Sequence, residues 1–192
     1  MKTLNQTLPL LLLVSLLSGC ATAVVGGAAT GAAVVHDRRT AGTVVDDQGI
    51  ELKAYNLIGA DSTLDKNSHI NVTSYNLNVL LTGEVASNAL RTKAAKLVSR
   101  APKARKVLNY LVVGSNTSLG SRTKDTWITT KVKSNLFSIE LPNFDPTRVK
   151  VVTEAQTVFL LGLVNRKEGS AAISIARKVS GVKKVVALFE YL

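Results

Sequence analysis

Apolar and polar positions alternate through Ile70-Asn-Val-Thr-Ser-Tyr-Asn-Leu-Asn-Val-Leu-Leu-Thr-Gly-Glu-Val85, with a polar turn in the middle. Period-two alternation on both sides of a turn predicts a β-hairpin. The same pattern returns in Val149-Lys-Val-Val-Thr-Glu-Ala-Gln-Thr-Val-Phe-Leu-Leu-Gly-Leu-Val164 at a constant offset of 79, with Gly83 and Gly162 in register. Upstream, Ile50, Ala54 and Ile58 answer to Ile128, Val132 and Leu136 at an offset of 78. Their i, i+4, i+8 spacing predicts a helix with one buried stripe. Downstream, Leu90, Ala94 and Leu97 parallel a helix through Ala172, Ile175 and Val179. A last short strand closes each copy, Val107 to Val113 and Val185 to Phe189.

The chain therefore reads α-β-β-α-β twice, with about 70 residues in each unit. Gly114-Ser-Asn-Thr-Ser-Leu-Gly-Ser121 separates the copies and has the composition of a flexible linker. A period this long means two copies of a domain, not a solenoid. The expected division is a first α+β domain over 46–113, a linker over 114–122 and a second domain over 123–192. Asp46 and Asp47 read as N-caps of the first helix, and Asp125 or Thr126 as the cap of its counterpart.

The N-terminus carries a different hydrophobic pattern. Lys2 precedes an apolar run from Leu8 to Leu17, and Leu17-Ser18-Gly19-Cys20 ends it at the only cysteine of the 192-residue chain. A positive start, a run too short to span a bilayer and small residues before a boundary make a secretory signal. An uncleaved helix or a signal with a chance cysteine is the plainer alternative. The L-S-G-C tetrapeptide resembles the lipobox of bacterial lipoproteins, which implies removal of 1–19 and acylation of Cys20. Ala21 in place of Asp resembles the pattern sorted to the outer membrane. An acylated Cys20 excludes thiol and disulfide chemistry. Residues 20–45, rich in Ala, Gly, Val and Thr, then read as a flexible spacer. Gly27 and Gly31 have helix-dimer spacing, a weak signal in such a tract.

Without residues 1–19 the chain has 23 basic and 13 acidic side chains, a net charge of +10. In the cytoplasm such a balance would suggest nucleic acid. In the envelope the anionic partners are phospholipid head groups, lipopolysaccharide or wall material, so no nucleic-acid partner is expected. A basic surface kept for solubility is the plainer reading of charge alone.

The repeated units resemble BON domains, whose family fold is a three-stranded mixed sheet with two helices on one face. Gly83 and Gly162 sit at the family's strand-two glycine, and Gly181-Val-Lys-Lys-Val185 matches its approach to the last strand. Ala101-Pro-Lys-Ala-Arg-Lys-Val107 in the first copy lacks that glycine. Val44-Val-Asp-Asp47 and Asp125-Thr-Trp-Ile-Thr-Thr-Lys-Val132 carry the strongest likeness to dual-BON outer-membrane lipoproteins. That likeness implies outer-membrane integrity, division-site placement, binding of anionic phospholipid through the second domain, and support of amidase-driven wall cleavage.

Nothing in the chain asks for catalysis or a cofactor. No H-E-x-x-H, G-x-S-x-G or P-loop pattern is present. His36 and His69 lack companions at ligand spacing, so both read as surface residues and no metal site is expected. Asn71-Val-Thr73 fits a glycosylation sequon without expected meaning here. The helix expected over Thr126 to Phe137 is more informative. At about 100° per residue from Trp127, the stripe of Ile128, Val132 and Leu136 centres near 140°. Lys131 falls near 40°, Ser134 near −20° and Thr130 near −60°, so Trp127 heads a face that is not the core face.

Trp127, with Thr130, Lys131, Lys133, Ser134 and Phe137, thus forms a candidate site for phosphatidylglycerol-like lipid. The bland reading is that Trp127 covers the core edge. Residues 121–192 carry +6 and residues 45–113 carry +3, which favours the second domain, and Lys183 and Lys184 extend its positive side. A protein-interaction adaptor, docking a cell-wall hydrolase regulator or barrel-assembly protein, is the alternative.

Overall fold

Ile50, Ala54 and Ile58 face inward from one helix, and Ile128, Val132 and Leu136 do so from its counterpart. The computed structural model describes residues 37–115 and 118–192, and Asp37–Leu192 forms one compact unit. The signal 1–19, Cys20, Gly27, Gly31, His36 and most of the 20–45 spacer lie outside the described residues.

The first domain runs α1 (Ala41–Gly59), α2 (Ser62–Asn67), β1 (Ser68–Tyr75), β2 (Asn78–Val85), α3 (Asn88–Val98), β3 (Lys106–Asn109) and β4 (Val112–Val113). The second runs α4 (Leu119–Leu136), a 3₁₀ turn (Pro146–Arg148), β5 (Lys150–Glu154), β6 (Thr157–Val164), α5 (Arg166–Lys178) and β7 (Lys184–Tyr191). In each sheet the middle strand pairs antiparallel with the hairpin partner and parallel with the last strand, β1-β2-β3 and β5-β6-β7. The architecture is α+β with mixed sheets.

Both first helices begin earlier than their apolar stripes indicate. Thr40 caps α1 and Ser118 caps α4, each accepting from the N–H three residues on. Asp46, Asp47, Asp125 and Thr126 therefore lie within helices and cap none of them. Helix α4 starts inside the stretch expected to be linker, and α1 inside the expected spacer. None of the described side chains in either first turn is buried, so no buried stripe marked them. Helix α2 has no forerunner in the repeat pattern. Leu64, fully buried, fixes it to the core.

The expected strand Val107 to Val113 is split. Leu81 pairs Asn109 and Glu84 pairs Val112, so the register continues across a break opposite Gly83. Gly83 has φ +109°, and a Cβ there would stand 1.9 Å from the His69 carbonyl oxygen. Gly162 keeps ordinary φ and its partner β7 runs unbroken, though a Cβ would come within 2.7 Å of Arg148 O. Gly181 has φ +87°. At its place in the first domain Lys103 takes φ +68°, so the backbone turns alike without the glycine.

Each sheet buries both faces. Val79, Leu81 and Val85 of β2 point into the first core, and Val158, Leu160 and Val164 of β6 into the second. The intervening Leu80, Phe159 and Leu161 join Tyr75, Leu108, Val152, Leu163, Val186 and Leu188 in a third cluster. The sheets thus pack back to back with helices outside. Tyr110 meets Phe159 edge-on at 5.1 Å between centroids. Among the described residues no helix is long and apolar enough to cross a membrane.

Candidate functional site

Helix α4 divides its residues sharply. Asp125, Ile128, Val132 and Leu136 are buried, and Thr126, Trp127, Thr130, Lys131, Lys133, Ser134 and Phe137 are exposed. Trp127 is 46% and Phe137 71% exposed, large values for side chains of their size. Lys131 lies one turn on, its Nζ 5.9 Å from the centre of the Trp127 ring, within cation–π reach. Thr130 donates its hydroxyl to Thr126 O at 3.0 Å, and the Phe137 N–H, just past the helix, donates to Ser134 O at 3.2 Å.

What holds this face outward lies on the other side. Thr129 donates to the Thr153 hydroxyl at 2.7 Å and ties α4 to β5. The Asp125 carboxylate accepts the N–H groups of Ala155 and Gln156 at 2.9 and 2.8 Å. Those residues form the β5–β6 turn with φ of 47° and 63°, costly for residues other than glycine. Asp47 does the same for Asn76 and Leu77, at 2.8 Å each, in a turn with φ of 50° and 65°. The paired aspartates clamp helix to hairpin, and only tertiary structure brings them to that task.

The six candidate contacts do not form one pocket. Trp127 and Lys131 share an open surface. Phe137 and Lys133 border a cavity of about 470 Å³ together with Tyr75 and two cations, Arg39 and Lys150, that sequence spacing had not joined to this helix. Lys184 lines a separate cavity with Glu84 and Phe159.

Polar contacts cross the seam between domains. Arg38 makes a two-pronged ion pair with Glu168 at 2.6 and 2.8 Å and donates to Leu163 O. That guanidinium holds the Glu168 carboxyl below its ordinary range, with the Asn165 N–H helping and burial opposing. Asn76 and Asn78 donate to Glu190, Lys150 donates to Glu51, and Tyr75 donates to Arg148 O.

His69, expected to be a surface residue, is one only in part, its side chain being 25% exposed. Its imidazole Nδ1 is buried 3.4 Å from a Glu84 carboxylate oxygen, and Glu154 of the second domain completes a cluster whose ligand atoms all lie within 4.8 Å. Asn71, first residue of the sequon, donates to Glu154 at 2.8 Å. Burial pushes the Glu154 carboxyl upward against that bond, and the Glu84 charge adds to the rise. Hairpin register placed His69 opposite Glu84 in a readable way; nothing in the sequence announced Glu154.

The BON domain family matches residues 46–115 and 124–192. The chain is 40% identical over 176 residues to the outer membrane lipoprotein DolP of Haemophilus influenzae, covering 92% of this chain and 90% of that one. It is 37% identical over 157 residues to the 21 kDa hemolysin of Actinobacillus pleuropneumoniae, covering 81% and 79%. The C-terminal domain of CdsD, the structural protein of the Type III secretion system of Chlamydia trachomatis, shares 11% identity over 76% of this chain and 67% of that one, with a TM-score of 0.29. With two matching copies that account for most of its length, the chain belongs to the BON-domain family.

Proposed function

We propose that this protein is a non-enzymatic outer-membrane lipoprotein, anchored through acylated Cys20, whose second BON domain binds anionic phospholipid. Through that contact it serves outer-membrane integrity and wall remodelling at the division site. The observation that carries this reading is the exposure of Trp127 and Phe137 on the side of α4 away from the core, with Lys131 beside the indole. An aromatic ring at the membrane–water boundary with a lysine reaching phosphates is how an interfacial helix engages lipid. Attraction to an anionic surface contributes about 1 kcal/mol per nearby basic residue, so a few contacts give weak, reversible binding.

The test is flotation of the chain from residue 21 onward, which keeps the whole described unit, with phosphatidylglycerol-containing and purely zwitterionic vesicles. Binding to the anionic vesicles only, weakening with salt and reduced at least fivefold by Trp127→Glu, is expected. Equal binding by wild type and variant, or none by either, rules out this helix as the lipid contact.

One observation favours the adaptor reading for the first domain. Val45 and Leu52, spaced by two turns on α1, are 66% and 65% exposed. A short apolar stripe without a lysine–aromatic pair suits a protein partner, such as a wall-hydrolase regulator or barrel-assembly protein. In-cell cross-linking from Leu52 to one dominant protein, with lipid binding intact in Leu52→Glu, is the outcome that reading requires.

A further inference from the structure

We propose that His69, Glu84 and Glu154 form a binding site for one divalent transition-metal ion of the zinc class, held across the seam between the two domains. The three ligand atoms lie within 4.8 Å of one another. His69 and Glu84 face each other directly across β1 and β2, on the side of the sheet turned toward the second domain. Glu154 arrives from the end of β5. The two glutamates are 5% and 8% exposed, so two carboxylates share a site largely shielded from water. Lys184 borders a cavity with both of them, and a cation or a shared proton held between them would lower the cost of the pair further.

Geometry favours the cation. The His69 Nδ1 is buried and has no hydrogen-bond partner, although a Glu84 oxygen stands 3.4 Å away. A charge-assisted N–H···O bond closes to about 2.7–2.9 Å. Ligand atoms on tetrahedral arms of about 2.1 Å sit about 3.4 Å apart, the His69–Glu84 separation, and the rest of the cluster, spread within 4.8 Å, would close in on the ion. One imidazole with two carboxylates suits zinc better than magnesium or calcium, which prefer all-oxygen shells. Asn71 already orients Glu154 by donating to its carboxylate from outside the cluster. A cavity of about 470 Å³ bordered by His69, Glu154, Arg122 and Lys133 gives a path in and room for a fourth ligand, a water or an anionic oxygen. Because its ligands come from both domains, the ion would rivet the sheet-on-sheet packing.

The experiment uses the full chain with Cys20→Ser, which removes the thiol as a rival ligand, purified in detergent after chelator treatment. Titration calorimetry with ZnCl₂ should show one saturable equivalent. Zinc at about a hundredfold excess over Kd should raise the melting midpoint by about 5–10 °C. Glu154→Gln and His69→Gln, checked for folding by circular dichroism in chelator, should weaken binding at least tenfold. Independent of any variant, Co²⁺ should broaden the ring-proton NMR signals of His69 before those of His36. No saturable uptake by the parent chain, unchanged affinity in both variants, or broadening of His36 in place of His69 overturns the site. The first of these outcomes would leave a shared proton as the device that settles the cluster.

Discussion

Asp125 and Asp47 show how much one residue can hold in this fold. Two successive residues with positive φ cost about 1–2 kcal/mol each when neither is glycine. Ala155 and Gln156 bear that cost because one carboxylate receives both of their N–H groups. Hydrogen bonds to a charged group are worth about 1.5–3 kcal/mol each, enough to offset the strain. Asp125→Ala should destabilise the protein by about 3 kcal/mol in denaturant melts, with the loss falling on the β5–β6 turn. Adding Ala155→Asn and Gln156→Gly, the pair that turn type prefers, should restore most of it. Failure of that rescue would mean the aspartate acts mainly through α4 packing.

At the level of elements, α1 and α4 are copies with opposite decoration. At the offset of 78, Gly49 stands where Trp127 is and Gly59 where Phe137 is, while Lys53 matches Lys131. The first domain keeps a cation at that place and lacks both aromatic rings. This asymmetry, more than net charge, assigns the proposed lipid contact to α4. Phe137→Glu should therefore reduce vesicle binding as Trp127→Glu does, whereas Leu52→Glu on α1 should leave it within twofold in the same flotation assay. Equal losses from both helices would point to diffuse electrostatics and remove the case for an aromatic anchor.

On the scale of the whole molecule, the two domains share one buried cluster and several ion pairs, which predicts a single unfolding transition. The Arg38–Glu168 pair makes part of that coupling sensitive to pH. Glu168 is held below its ordinary value of 4.5, so its contribution is complete above that pH and is lost as the pH falls through the folded-state value. Glu168 is nearly buried and Arg38 about a quarter exposed, which sets the loss in Arg38→Ala at about 2 kcal/mol at neutral pH. Thermal melts between pH 7 and pH 3 should show that deficit shrink as Glu168 protonates. A deficit independent of pH would locate the effect in packing, and two separate transitions would contradict the shared core.

The sequence by itself determined the repeat, the hairpin of each copy and the core stripe of each first helix. These follow from local periodicity, since spacing along the chain states which side of an element must leave water. The exposed side of α4, with Trp127 and Lys131 on it, was legible for the same reason. Only the tertiary structure decided what covers the second apolar face of each sheet. A strand apolar on both sides shows that a cover exists without naming it. The same step turned Asp47 and Asp125 from expected helix caps into turn clamps, and brought Glu154 against His69 and Glu84. Residues 70 to 85 positions apart met because two sheets packed back to back, and no local pattern records that contact.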